Sequence, residues 1–127
     1  MGTLLGSIEV IPLYAQVVVE SEGASDLPVP ETGEERAVAS TQCVLIATRG
    51  DRDGSVTIDV WREHDGRSAG EVVFDGELSL LTPRLVVGSP IADALLGVDL
   101  RRSGQIPITV SVDPLEAPSR VTVSVRD

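Results

Sequence analysis

The segment Ile106-Pro107-Ile108-Thr109-Val110-Ser111-Val112 alternates branched apolar residues with Pro, Thr and Ser. After a loop that contains two prolines, Val121-Thr122-Val123-Ser124-Val125 repeats the alternation. A period of two places every second side chain on the same face, so both segments are predicted to be β-strands with one buried and one wet face. Such strands are typical of antiparallel sheets. Because proline lacks an N–H, Pro107 predicts a strand at a sheet edge, or one whose N–H side at that residue faces no partner.

Shorter strand patterns separated by turns occupy the rest of the chain. Strands are predicted at 13–19, 37–48, 55–63, 71–81, 85–87 and 98–100, after an extended segment at 8–11. Pro12 predicts a bend or an edge position. Asp75-Gly76 predicts either a tight hairpin or a bulge in one longer strand, and 89–96 predicts a short helical turn. Seven or eight short strands without a long helix predict an all-β fold, an antiparallel β-sandwich. A length of 127 residues predicts one domain over residues 1–127.

Negative charge is concentrated near the N-terminus. The formal net charge is −10, and residues 1–35 contain seven Asp or Glu side chains but no Lys or Arg. Binding to nucleic acid and to anionic membranes depends on clustered Lys and Arg, so neither partner is expected. Complementary charge favours a basic protein partner. Solubility is the alternative explanation, because a net charge far from zero keeps a domain dispersed.

The acidic residues gather in a polar segment between residues 20 and 36 that also contains two prolines and predicts a loop. Glu31, Glu34 and Glu35 are closely spaced near its end. They form the first candidate surface for a basic partner.

Trp61 is the second candidate contact. Alternation from Val56 to Val60 places Trp61 on the face opposite the apolar residues, next to Arg62 and Glu63. Trp and Arg are enriched among the residues that dominate interface energies, which favours an anchor for the partner. The alternative is that the indole covers a sheet edge or lies beneath the acidic loop.

Reactive residue types are scarce, which argues against an enzyme. Cys43 is the one cysteine and lies in an apolar run, so we expect a core thiol, no intramolecular disulfide and a reducing compartment. His64 is the one histidine, and one Cys with one His does not make a zinc site. Residues 51–55 lack the spacing of an EF-hand loop. No catalytic residue, metal or cofactor is therefore expected.

The N-terminal segment indicates where the protein works. Residues 1–7 have no charged n-region, and the apolar run is too short for a signal peptide. No apolar stretch reaches membrane-spanning length. We therefore expect a cytoplasmic protein.

The segment Leu13-Tyr14-Ala15-Gln16-Val17-Val18-Val19 resembles the N-terminal strand motif of competence protein J-like proteins, in which Tyr-x-Gln precedes apolar residues. The order of the segments 72–87, 98–104 and 106–110 is also similar to this family of small bacterial β-sandwich proteins. The resemblance implies a non-enzymatic protein that binds a nuclease, because the member that gives the family its name inhibits a nuclease of DNA uptake. The aromatic residues usual near the family's strand ends are mostly absent here, so the resemblance leaves the partner open.

These features together predict a non-enzymatic protein-binding module, in its specific form a nuclease inhibitor or immunity-like protein. In this hypothesis the acidic loop steers a basic partner and Trp61 anchors it. The alternative is a structural or assembly subunit without a catalytic role that associates through a sheet edge, including as a homo-oligomer.

Overall fold

The computed structural model describes residues 2–25, 28, 35–62, 70–89 and 94–126, which form two β-sheets packed face to face. The strands of these residues are β1 (Thr3–Val10), β2 (Gln16–Ser21), β3 (Ala37–Ala39), β4 (Cys43–Ala47), β5 (Val56–Arg62), β6 (Glu71–Leu80), β7 (Arg84–Ser89), β8 (Ala94–Asp99), β9 (Gly104–Asp113) and β10 (Arg120–Val125). The first sheet has the order β1-β5-β10-β9-β6 and the second the order β3-β4-β2-β7-β8. Neighbouring strands are antiparallel, except that β5 and β10 are parallel. The predicted all-β sandwich is confirmed, with more strands than the seven or eight expected.

The core lies between the two sheets and consists almost entirely of Val, Ile and Leu. In β5, Ile58 and Val60 are fully buried and lie beside the equally buried Val121 and Val123 of β10. Burying one such side chain contributes about 1.5–3 kcal/mol, so the inward half of each strand holds the sheets together. The alternation that predicted these strands is therefore confirmed by their burial.

The segment predicted as a strand from residue 13 begins instead with a 3₁₀ turn, Leu13–Ala15, and β2 starts only at Gln16. The turn follows Pro12, where the chain leaves the first sheet for the second, so the predicted bend is confirmed. Tyr14 and Ala15 have φ values of 62° and 55°. The left-handed backbone ends the extended pattern that the side chains alone suggested.

Pro107 lies inside the first sheet, because β9 has β10 on one side and β6 on the other. Of the two alternatives for Pro107, the edge strand is wrong, and a position whose N–H side meets no partner strand is the one found. Arg126 donates its N–H to the Pro107 carbonyl at 3.0 Å, and a regular antiparallel ladder would return an N–H from residue 107 to the Arg126 carbonyl. The guanidinium of Arg102 donates to that carbonyl instead. Proline is tolerated at position 107 because β10 ends at Val125. The N–H that Pro107 lacks would therefore point just beyond the ladder between β9 and β10.

The segment predicted as one strand over 37–48 is a pair of strands, β3 and β4. The chain reverses after Ser40, whose hydroxyl accepts the N–H groups of Gln42 and Cys43 at 3.4 and 3.2 Å. Serine stabilises such turns by bonding to the backbone just ahead of it. The apolar run around Cys43 therefore forms an inner strand between β3 and β2, as its composition predicted.

Two open alternatives are settled further along the chain. Asp75 and Gly76 make no hairpin and lie within the single strand β6, whose irregular register falls between Val72 and Phe74. Residues 94–96 belong to β8, so a helical turn over 89–96 is wrong for that part. Residues 90–93 lie outside the described residues.

Candidate functional site

Glu35 is the one member of the predicted acidic trio that falls among the described residues, whereas Glu31 and Glu34 lie outside them. It is half-buried and comes just before β3, at the edge of the second sheet. Arg36, which follows it, donates to the Leu115 carbonyl at 2.7 Å and pairs with Glu116 at 2.6 Å. This contact fixes the end of the acidic segment against the loop that joins β9 to β10.

Glu35 lines a cavity of about 310 Å³ on the outer face of the second sheet, here called the Tyr14 cavity. Its lining residues are Tyr14, Ala15, Gln16, Glu35, Val38, Leu45, Ile46, Ala47 and Thr48. Strand register explains the grouping, because Gln16 pairs with Ala47, and Val38 pairs with Leu45. Tyr14 and Gln16, the two residues of the Tyr-x-Gln motif, thus share one cavity with Glu35.

The turn at Tyr14 turns its aromatic ring toward solvent. Tyr14 is 78% exposed, and its backbone is left-handed, which costs a bulky residue about 1–3 kcal/mol. Two hydrogen bonds hold the turn: Ala15 N–H donates to the Pro12 carbonyl, and Thr48 N–H donates to the Ala15 carbonyl, both at 2.9 Å. An aromatic residue held in a strained, exposed turn is typical of a binding surface.

Trp61 lies on the outer face of the first sheet, as its alternation predicted, and is half-buried there. It faces Ser124 near the end of β10. The loop bound by Arg36 ends at Arg120, the start of β10, whereas Trp61 lies opposite Ser124, four residues further along the strand. At ~3.3 Å per residue, about 13 Å of strand separates these two positions. The structure therefore places Trp61 and Glu35 on different sheets and toward opposite ends of the sandwich.

Ser124 is fully buried even though it lies on the outer face beside Trp61. The neighbouring Thr122 and Ser111 are buried in the same way. Small residues on an outer face lose their exposure when large side chains lie over them. This burial favours an indole that covers the sheet, but β5 is an inner strand, so the cover does not lie over the sheet edge that the alternative named.

A second cavity on the outer face of the second sheet was missed by the sequence analysis and is here called the Arg84 cavity. It has a volume of about 370 Å³ and is lined by Glu20, Ser21, Glu22, Gly23, Ala24, Arg84, Val86, Leu95 and Gly97. Glu20 and Glu22 are two residues apart along an extended chain and so share a face. That spacing was the available sequence signal, but Arg84 and Gly97 come from distant strands.

Glu20 has a perturbed acidity. Partial burial raises the pKa of its carboxyl above the ordinary value of 4.5, and a hydrogen bond with Cys43 partly offsets the rise. Cys43 itself is fully buried, as predicted, but lies on the outer side of β4 opposite Glu20. The thiol is therefore a packing residue next to the Arg84 cavity.

Across the described parts of the chain, no group of three or more His, Cys, Asp and Glu side chains is placed to hold a metal ion. Within residues 2–25, 28, 35–62, 70–89 and 94–126, no helix has the length and apolar character needed to cross a bilayer. His64 and Glu63 lie outside the described residues.

The fold is similar to the crystal structure of ComJ from Bacillus subtilis, described as an inhibitor of the DNA degrading activity of NucA, with a TM-score of 0.75. The similarity covers 100% of this chain and 98% of that chain at 14% sequence identity. No family model and no curated protein sequence matches the chain. At this identity the likeness shows a shared fold, which is the fold that the Tyr-x-Gln resemblance implies.

Proposed function

We propose that the chain is a non-enzymatic cytoplasmic protein that binds a nuclease and inhibits it. The likeness over its whole length to ComJ, an inhibitor of the DNA degrading activity of NucA, carries this proposal. The net charge of −10 supports it. Proteins that act on DNA hold the phosphates with Lys and Arg, so a protein with clustered carboxylates complements the same basic surface.

The nuclease binds, in this proposal, at the Tyr14 cavity. Glu35 supplies a carboxylate at the cavity wall, and Tyr14 supplies an exposed aromatic ring of the kind that dominates interface energies. Glu31 and Glu34 precede Glu35 by four residues and one residue, so they add negative charge close to the same point in the chain. Their charge raises the rate of encounter with a basic surface.

Trp61 is not part of this proposed surface, because it lies on the other sheet. An interface of standard size buries about 800 Å² on each partner, which does not reach around a sandwich from one outer face to the other. The burial of Ser124 beside Trp61 instead supports an indole that covers the sheet.

Depletion of nuclease activity from an extract of the source organism tests the proposal. The immobilised wild-type chain should remove plasmid-degrading activity from the extract, and the eluted nuclease should lose activity when soluble chain is added back. The Glu31→Gln/Glu34→Gln/Glu35→Gln variant should leave most of that activity in the flow-through. Raising the salt concentration should weaken retention by the wild type, since salt screens exposed charges.

A variant with the same change in charge on the other sheet is the matched control. Glu9, Glu71 and Glu77 are exposed residues of β1 and β6, and changing all three to Gln should leave depletion intact. If both triple variants lost depletion equally, net charge alone, and not the position of the carboxylates, would explain the loss. Failure of the wild-type chain to deplete or inhibit any DNA-degrading activity would refute the inhibitor role.

Assembly through a sheet edge is the second candidate, favoured by the ten-residue strand β6 at one edge of the first sheet. The exposed Glu71 and Glu77 oppose pairing with a second copy. Near the end of β6, Ser79 also donates its N–H to the carbonyl of Thr41, in the turn between β3 and β4, at 2.7 Å. Light scattering over a range of concentrations decides the point: a rising mass supports assembly, and a constant monomer mass excludes it.

A further inference from the structure

The Arg84 cavity contains a guanidinium group supplied by the chain itself. Glu22 N–H donates to the Arg84 carbonyl at 3.0 Å, which fixes the residue just after β2 beside the first residue of β7. Their side chains form an ion pair, with Arg84 Nε 3.4 Å from Glu22 Oε2. The cavity therefore already accommodates an arginine head group.

Gly97 makes room for that head group. A Cβ at position 97 would lie 2.1 Å from Nε of Arg84 and 2.7 Å from Cζ, so the guanidinium rests on the bare backbone of β8. A planar cation needs such a flat floor, and any larger residue at 97 would remove it. Both the shape and the charge of the cavity thus suit a guanidinium.

The Glu22 carboxylate is only loosely satisfied by Arg84. Glu22 Oε1 accepts a hydrogen bond from the Thr82 hydroxyl at 3.4 Å, and both side chains of the Glu22–Arg84 pair are about half exposed. Glu20 is held from the other side by its contact with Cys43. Two carboxylates against one guanidinium leave a net negative site in the folded protein.

Apolar walls complete the cavity. Val86 and Leu95 lie beside the carboxylates, and Leu95 is exposed over 45% of its surface. An arginine side chain lays its methylene stem along apolar surface while its head group reaches polar partners. Carboxylates match a guanidinium in shape and charge.

We propose that the Arg84 cavity binds an arginine side chain of the basic partner, with the guanidinium between Glu20 and Glu22 and the stem against Leu95. Arg84 competes for the same carboxylates and is displaced toward solvent when the partner's arginine enters. The proposal rests on the proposed function only in taking the partner to be a basic protein. It adds a second contact on the same outer face as the Tyr14 cavity.

Titration of the isotope-labelled protein with the blocked peptide acetyl-Gly-Arg-Gly-amide tests the site without any nuclease. The backbone amides of Gly23 and Gly97 line the cavity, and their NMR signals should shift and saturate. The peptide with citrulline in place of arginine, which has the same shape without the charge, should give no saturable shift. A saturable response to both peptides, or to neither, would overturn the proposal.

Three variants locate the binding. Glu20→Gln/Glu22→Gln should weaken the peptide about fivefold, since an exposed or half-exposed ion pair contributes up to ~1 kcal/mol. Arg84→Gln should strengthen it by about the same factor, because it removes the competing cation. Glu71→Gln/Glu77→Gln, on the first sheet, should change nothing. Equal weakening by both double variants, or weaker binding by Arg84→Gln, would contradict the assignment.

The two proposals fail separately. Peptide binding without depletion of any nuclease leaves the cavity assignment standing and removes the inhibitor role. Nuclease inhibition without peptide binding keeps the inhibitor role and removes the cavity.

Discussion

Asp59 and Arg120 join the two parallel strands of the first sheet: Arg120 Nη1 donates to Asp59 Oδ2 at 2.6 Å. The carboxylate lies on the outer face of β5, yet its side chain is only 12% exposed. Ser7 of β1 donates to the other oxygen at 2.6 Å. One buried carboxylate thereby links β1, β5 and β10.

Replacing Arg120 with Met should destabilise the fold by about 1–3 kcal/mol, because a buried carboxylate loses its charged partner. Arg126→Met, just beyond the other end of β10, is the matched control, since both side chains of its 2.7 Å ion pair with Asp75 are about half exposed. That change should cost at most about 1 kcal/mol. Urea denaturation measures the unfolding free energy of both variants. Equal losses would show that the Asp59–Arg120 ion pair stabilises the fold no more than an exposed pair does.

Replacing Tyr14 with Ala should leave the free energy of unfolding nearly unchanged, because the ring is 78% exposed. The same change should weaken depletion of the nuclease activity at least as much as the triple Glu variant does. Exposed Ile11→Ala is a control close by in the chain and should affect neither property. A Tyr14 variant that depletes the activity as well as wild type would move the binding surface away from the Tyr14 cavity.

Replacing Glu20 with Gln should stabilise the protein near neutral pH. Burial raises the pKa of Glu20 above 4.5, so the folded state disfavours the ionised carboxyl. That penalty is absent below pH 4.5, where the group is protonated in both states, and it develops as pH rises through the folded-state pKa. The gain from Gln should therefore shrink as the pH is lowered toward 4.5 in a series of urea titrations, and a constant gain would contradict the assignment.

Gly88 and Gly97 should respond differently to Ala. At Gly88 φ is 140° and a Cβ would lie 2.1 Å from the Ala94 carbonyl oxygen, so backbone must move and the cost should be about 2 kcal/mol or more. At Gly97 the obstacle is the mobile end of the Arg84 side chain, so the cost should stay within about 0.5 kcal/mol. Thermal denaturation of the two variants measures the contrast, and a costlier change at Gly97 would mean that Arg84 cannot leave its place.

Replacing Trp61 with Ala should lower the thermal midpoint and leave nuclease depletion unchanged, because the indole lies beside the buried Ser124 on the sheet remote from Glu35. Trp61→Phe retains an aromatic cover and should recover most of the stability. The opposite pattern, an unchanged midpoint with weaker depletion, would restore Trp61 as an anchor for the partner.

Much of the fold was predictable because burial has the period of a strand. Val56, Ile58 and Val60 had to share a face once the segment was extended. Pro107 left two alternatives open because the rule for proline concerns the missing N–H, and the sequence does not show that β10 ends one residue short of it. The strand predicted from residue 13 was wrong at Tyr14, because left-handed backbone at a bulky residue has no compositional signature.

The candidate site was only partly predictable for a related reason. Glu35 was singled out by its charge, and Tyr14 by its place in a motif, but they share a cavity only because β3 pairs with β4 and β4 with β2. Arg84 and Gly97 belong to no motif. They meet Glu22 through the register of β2, β7 and β8.

The sequence by itself determined the class of fold and the excess of negative charge, because alternation and composition are properties of neighbouring residues. The tertiary structure decided which strands became neighbours. Glu22 therefore meets Arg84 above Gly97, with Glu20 in the same cavity, while Trp61 is left on the other sheet. Strand order depends on how two sheets bury their apolar faces together, and many orders share the same local pattern.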